Sequence, residues 1–168
     1  MIGIGAKIEE LRAIFENGLW TTANYSSYGR AFHNERAGEK VPAIDLGNKL
    51  DYKEVLLDDR IDASSFFLVE NDHEHLGDSY SDYRAKVGIY FSVDIERIYP
   101  SVTDRGDAID LVHKDIVALM VNTDFEPPEI TSGLEAFEKF GMVKPEDNMQ
   151  PFYLVRFDTS VDYKLNNC

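Results

Sequence analysis

A chain of 168 residues with 31 acidic and 17 basic side chains carries a formal net charge of −14, with 43% apolar residues, ten Phe and nine Tyr. That length suits one domain with a real core, and so acidic a surface repels phosphate, which argues against general nucleic-acid binding and against docking on an anionic membrane. No run approaches the ~20 apolar residues of a membrane span, the N-terminus lacks the basic and apolar regions of a signal peptide, and a single cysteine, Cys168, leaves no internal disulfide, so a soluble intracellular protein is expected.

Residues 5–17 are predicted to be a helix, because Ile4, Ile8, Leu11, Ile14 and Phe15 fall on one stripe before Asn17-Gly18. Residues 21–40 are small and polar and read as an irregular excursion, with a short strand at most around Tyr28 to Phe32. Val41-Pro42-Ala43-Ile44 is extended, since proline drives its predecessor out of the helical region. Tyr52 to Leu57 and Ser64 to Glu70 read as strands, the second on β-propensity. Asn71 to Ser81 reads as a turn-rich acidic loop.

Two stretches of strict apolar/polar alternation follow. The first runs over about 83–98, with Val87, Ile89, Phe91, Val93 and Ile95 on one side. Its period slips between Ile95 and Ile98, which predicts a bulge near Glu96-Arg97 or the end of pairing there. The second covers about 152–165, with Tyr153, Val155, Phe157, Val161 and Tyr163 on one side. Period-two alternation marks a strand buried on one face. Thirteen residues would span roughly 43 Å at ~3.3 Å each, well beyond a usual strand. Between them, residues 107–121 are predicted to be a helix with Asp104 as N-cap and Asp107 in the first turn. Residues 122–150, with Pro127-Pro128, Gly133, Gly141 and Pro145, read as a second irregular excursion, within which Leu134 to Phe140 is expected to pack.

The order predicts an α+β fold: a mixed, mostly antiparallel sheet with two long strands and with both helices on one face. The polar face of the long strands is then available. Tyr90, Asp94, Arg156, Asp158 and Lys164 are its candidates for meeting a neighbouring subunit or facing a channel.

Candidate chemistry is sparse. His73 and His75 would point the same way in a strand and could share a metal, with Asp72 and Asp78 nearby, but no third spaced ligand is evident and a solvated loop is the simpler reading. His33 and His113 lack sequence neighbours to make them bases, and His113 reads as a boundary residue of its helix. No Gly-x-Ser-x-Gly elbow or phosphate loop occurs, and Gly3-Ile4-Gly5 lacks the third glycine and preceding strand of a dinucleotide fingerprint. Arg105-Gly106-Asp107 sits where a helix start needs a turn and an acid, and Asn24-Tyr25-Ser26 is a glycosylation sequon in form only. Phe66, Phe67, Phe91, Phe152 and Phe157 suit a core and subunit contacts better than base stacking. No catalytic residue and no cofactor is assigned.

The segments Ile8–Phe15, Arg60–Val69, Ala85–Ile95, Ala108–Met120 and Gln150–Tyr163, ending in a Phe-Tyr-Leu-Val-Arg-Phe strand, resemble in their order the tail-terminator and head-to-tail connector (neck) proteins of tailed bacteriophages. The resemblance implies a non-enzymatic ring subunit of the virion, assembled in the host cytoplasm. It implies a homo-oligomeric ring, with tail-tube and neck or portal-proximal proteins as partners and DNA passing an acidic lumen without specific binding. Long strands could then pair edge to edge across subunits. The alternatives are a small ligand- or metal-binding domain or enzyme using the acidic loop 70–82, and an acidic bacterial adaptor or immunity protein.

Overall fold

A computed structural model describes residues 3–47, 51–55, 58, 60–77, 79–140 and 151–165. Its centre is a pair of thirteen-residue strands, β5 (Asp82–Asp94) and β7 (Phe152–Lys164), joined antiparallel from Asp82↔Lys164 to Asp94↔Phe152. Around them lie β1 (Tyr25–Arg36), β2 (Glu39–Asp45), β3 (Tyr52–Glu54), β4 (Ala63–His75) and β6 (Glu129–Ser132). The seven strands form one sheet in the order β3-β2-β1-β4-β5-β7-β6. Only β1 and β4 run parallel; every other pairing is antiparallel. The expected α+β architecture is therefore the observed one.

The first face carries the helices α1 (Ile4–Gly18) and α3 (Arg105–Met120), with the single turn α2 (Ile95–Ile98) following β5. Ile4, Ile8, Leu11 and Phe15 of α1, and Ala108, Val112, Ile116 and Met120 of α3, meet Phe67, Val87, Ile89, Phe91, Val155 and Phe157. Phe15 stands between Phe67 and Phe91, with ring centroids 6.1 and 5.5 Å away. Asp104 caps α3 by accepting from the Asp107 amide at 3.0 Å. Trp20 leaves α1 at a φ of 44°, a strained value for a side-chain-bearing residue. Its indole holds the bend by donating to Tyr99 Oη at 2.9 Å and Asp115 Oδ2 at 3.2 Å, and Tyr99 itself donates to Asp115 at 2.5 Å.

Two expectations are corrected and a third is decided. The excursion at 21–40 is a hairpin: β1 and β2 turn through Ala37 (φ 53°) and Gly38 (φ 81°), with Arg36 opposite Glu39. Two successive positive φ values match the twist of a tight hairpin, which explains the glycine. The acidic loop at 71–81 begins only after His75, because β4 continues to that residue through an irregularity that sets Glu70, Asn71 and Asp72 against Lys86 alone. Of the two readings of the slip near Glu96-Arg97, the end of pairing is the observed one, and there is no bulge. Asp94 is buried, ends β5, and accepts from the Glu96 and Arg97 amides at 3.1 Å each, starting α2.

Of the second excursion, 122–150, Asp124 and Phe125 lie beside α1 and the later part crosses to the sheet's second face; Gly141 and Pro145 lie outside the described residues. Phe125 bridges Val161, β6 pairs with β7, and a 3₁₀ turn (Leu134–Phe137) leads to Phe140. Leu134 to Phe140 packs beyond its own excursion, against the central strands. It forms a strap that lays Ala136, Phe137 and Phe140 over Phe66, Leu68, Tyr90 and Leu154. The central strands are thus buried on both faces along much of their length, where alternation had predicted burial on one. Tyr90 lies parallel to Phe66 at 4.9 Å, with Phe137 edge-on at 5.2 Å. Gly88 makes room: a Cβ there would stand 3.0 Å from the Tyr90 ring. Of Tyr52 to Leu57, the strand covers Tyr52–Glu54, and residues 56 and 57 lie outside the described residues.

Tyr90→Ala is expected to cost about 3–5 kcal/mol in urea unfolding, as for other buried aromatics. A loss of about 0.5 kcal/mol or less, the usual effect of an exposed substitution, would return Tyr90 to a solvent-facing position.

Candidate functional site

Beyond the strap, the second face of the sheet opens into a charged trough of about 690 Å³. Strand alternation supplies its floor: Glu74 of β4, Arg84 of β5 and Asp162 of β7 stand in one row, and Lys86 and Ser160 form the next. Glu70 and Asp72 flank it on β4, and Glu126 and Glu129 form the opposite rim. The rim is tied to β7, with the Glu126 amide donating to Ser160 O at 2.9 Å and Thr159 Oγ1 donating to Glu126 O at 2.5 Å.

The cations of the trough are largely committed. Arg84 grips Asp162 through two bonds, at 2.6 and 3.1 Å, and reaches Glu126 at 3.4 Å. That guanidinium holds the Asp162 carboxyl below its usual range. Arg156 sits where the strap meets the trough. It donates to Ala136 O at 3.0 Å and to Asp158 Oδ2 at 2.9 Å, with its guanidinium 6.0 Å from the Tyr90 ring. Lys139 approaches Glu70 at 3.9 Å. The arrangement favours a cationic partner over an anionic one, since carboxylates outnumber the bases around it.

The five predicted surface residues separate. Tyr90 and Asp94 are buried and cannot face a neighbour or a channel; burial pushes the Tyr90 phenol up to about 12. Arg156 is 11% exposed and anchors the strap. Asp158 lines the trough beside it. Lys164 is exposed and 3.5 Å from Asp82.

His73 and His75 do share a face, opposite Ala85 and Tyr83, as a strand requires. Each is engaged by the protein: His73 Nδ1 lies 2.6 Å from Tyr163 Oη, and His75 Nε2 donates to Ser79 O at 2.7 Å. Asp78 lies outside the described residues. Among the described residues no group of three His, Cys, Asp or Glu side chains is placed to hold a metal, and no helix is long and apolar enough to cross a membrane. His113 is half-buried, with Nε2 2.7 Å from Tyr153 Oη, and Tyr153 donates to Ser132 Oγ at 2.9 Å. Donation towards Ser132 runs opposite to what would activate that hydroxyl as a nucleophile. His33 stands 5.5 Å from the Phe140 ring. Sequence reasoning missed Glu126 and Glu129, which no local pattern marks. Arg84 and Lys86 were readable, since alternation places them on the face of Tyr90.

No protein-family model matches the chain, and no curated protein sequence matches it.

Two outcomes test this geometry. Arg156→Met is expected to cost about 1–3 kcal/mol, because the Ala136 carbonyl loses its donor, and to speed proteolytic cleavage within residues 133–140. Unchanged cleavage would show that the aromatic contacts alone hold the strap. Burial lowers the His113 pKa from its ordinary 6.5, so the unfolded chain binds a proton that the folded chain resists. Its contribution to stability is therefore present above pH 6.5 and declines as pH falls below it. Tm is expected to fall less steeply from pH 6.5 to about 5 in His113→Gln than in the wild type; equal slopes would rule out the coupling.

Proposed function

We propose that this chain is a non-enzymatic structural subunit of a tailed-bacteriophage particle, a ring-forming tail-terminator or neck protein that joins the tail tube to the head connector. The observation that carries the reading is the arrangement of elements: a leading helix, a long strand, a helix, and a second long strand returning antiparallel beside the first. That is the order in which the sequence resembles the family. The net charge of −14 supports it, because an acidic lumen lets DNA pass without adhering.

The fold changes how such a ring would be built. β5 lies inside the sheet between β4 and β7, and β7 is flanked by β6 over Val155–Asp158, so little of the long strands is open to a neighbour. Subunit contacts fall instead to the exposed parts of the β1–β2 and β4–β5 hairpins, to Asp158 and Lys164, and to the helix layer. Tail-tube and neck proteins are the partners of this reading, and the virion is its location.

A second reading has its own support. The trough, with Glu70, Asp72 and Glu74 along one wall, suits an acidic adaptor or immunity protein that captures a basic partner.

Light scattering at high protein concentration, with electron microscopy of the same sample, tests the ring. Closed rings of six or twelve copies, the sizes the resemblance implies, are expected, at roughly six or twelve times the mass of the 19.1 kDa chain. A strict monomer that also leaves no density in purified phage particles would overturn the assignment.

A further inference from the structure

Among the described residues the sheet contains an open seam. β1 and β4 run parallel up to Ala31↔Leu68, and there the pairing stops. Beyond it, among the described residues, Phe32–Arg36 of β1 pair with β2 and β4 as far as His75 pairs with β5. Two hairpin arms therefore part from a common base. On their facing sides, residues 69–75 of β4 and 32–35 of β1 have no strand partner among the described residues. A cavity of about 170 Å³ lies at the point of parting, bounded by His33 from one arm, by Leu68 to Asn71 from the other, and by Lys139 of the strap.

An unpaired strand edge is a template for a further strand, because its amides and carbonyls point outward; here the ladder to β5 is regular at Val69 and at His73–His75, with the Glu70–Asp72 irregularity between them. We propose that the β4 edge from Val69 to His75 accepts an extended segment of another protein, one that alternates basic and apolar residues. The inference stands apart from the ring reading and holds whether or not rings form.

The chemistry of the partner follows from the two faces of the seam. On the trough face, the β4 edge brings Glu70, Asp72 and Glu74, and residues 69–75 contain no Lys or Arg. Alternate side chains of an added strand would lie beside these carboxylates, and basic ones complement them. On the helix face, the flanking side chains are Val69 and Phe32, whose ring is 42% exposed beneath the Arg30 guanidinium at 4.9 Å. Apolar side chains fit there. A second copy of the chain is the poorer occupant, because it brings its own charge of −14 to an acidic edge.

The test uses the full chain and a blocked heptapeptide, acetyl-Lys-Val-Lys-Val-Lys-Val-Lys-amide, at low salt. Binding is expected to slow amide hydrogen exchange across residues 69–75. Two changes are each expected to weaken it about tenfold or more: methylating the peptide's backbone nitrogens along one edge, and reversing Glu70, Asp72 and Glu74 to Lys. The methylated peptide keeps every charge and requires no change to the protein, so it decides the matter even if the triple variant fails to fold. Equal binding of the methylated peptide would overturn strand addition in favour of charge attraction alone. No change in exchange over 69–75 would overturn the site. A concentration-dependent dimer that protects 69–75 without peptide would overturn the basic partner and assign the edge to a second copy.

Discussion

Everything in this structure depends on burying the β5–β7 pair from both sides. Thirteen antiparallel register pairs bring two long strands together at the centre of the sheet. Each presents large side chains to both faces: Ile89, Phe91, Val155 and Phe157 to one, Tyr90 and Leu154 to the other. A sheet with two apolar faces needs two covers. The helices provide the first. The second is a short strap, too small to cover the whole face, and the uncovered remainder is where the charges gather. Core and trough are two consequences of one geometry.

How much of this was legible follows from where each signal resides. The helices and the central strands carry their period in their own residues, and both emerged close to their observed bounds. β1 did not, because Tyr25-Ser26-Ser27-Tyr28-Gly29 has no apolar alternation. It is a strand because β2 and β4 pair with it, and β structure is decided by partners more than by intrinsic preference. The end of β4 was hidden in the same way, since a run of acids and histidines reads as a loop unless β5 lies beside it. Tyr90 was misplaced for a different reason. Alternation shows which residues share a face, but not whether a segment fifty residues away will cover that face. Asp94 was similarly ambiguous, because a polar residue at a strand's end can face solvent or begin a helical turn, and here the two free amides of α2 decide it.

The sheet's outer edges explain its behaviour towards other chains. The terminal strands β3 and β6 span three and four residues, and short edges pair poorly with intruding strands. Most of the length is held inside, where it does not template aggregation. Among the described residues, the parting of β1 from β4 is an opening within the sheet guarded by carboxylates. Like charges keep identical chains away from it while leaving it open to opposite ones.

The chain's single tryptophan acquires a use from its position. Trp20 lies on the helix side, edge-on to Tyr25 at 5.2 Å and to Phe91 at 6.3 Å, with its indole nitrogen shared by Tyr99 and Asp115. Its fluorescence is therefore a one-sided gauge. Emission follows the docking of the helices, while the strap and its phenylalanines on the reverse of the sheet are out of its sight. Tryptophan emission and a probe of the strap would follow one curve if the two covers detach together, and would part company if the sheet sheds them one at a time.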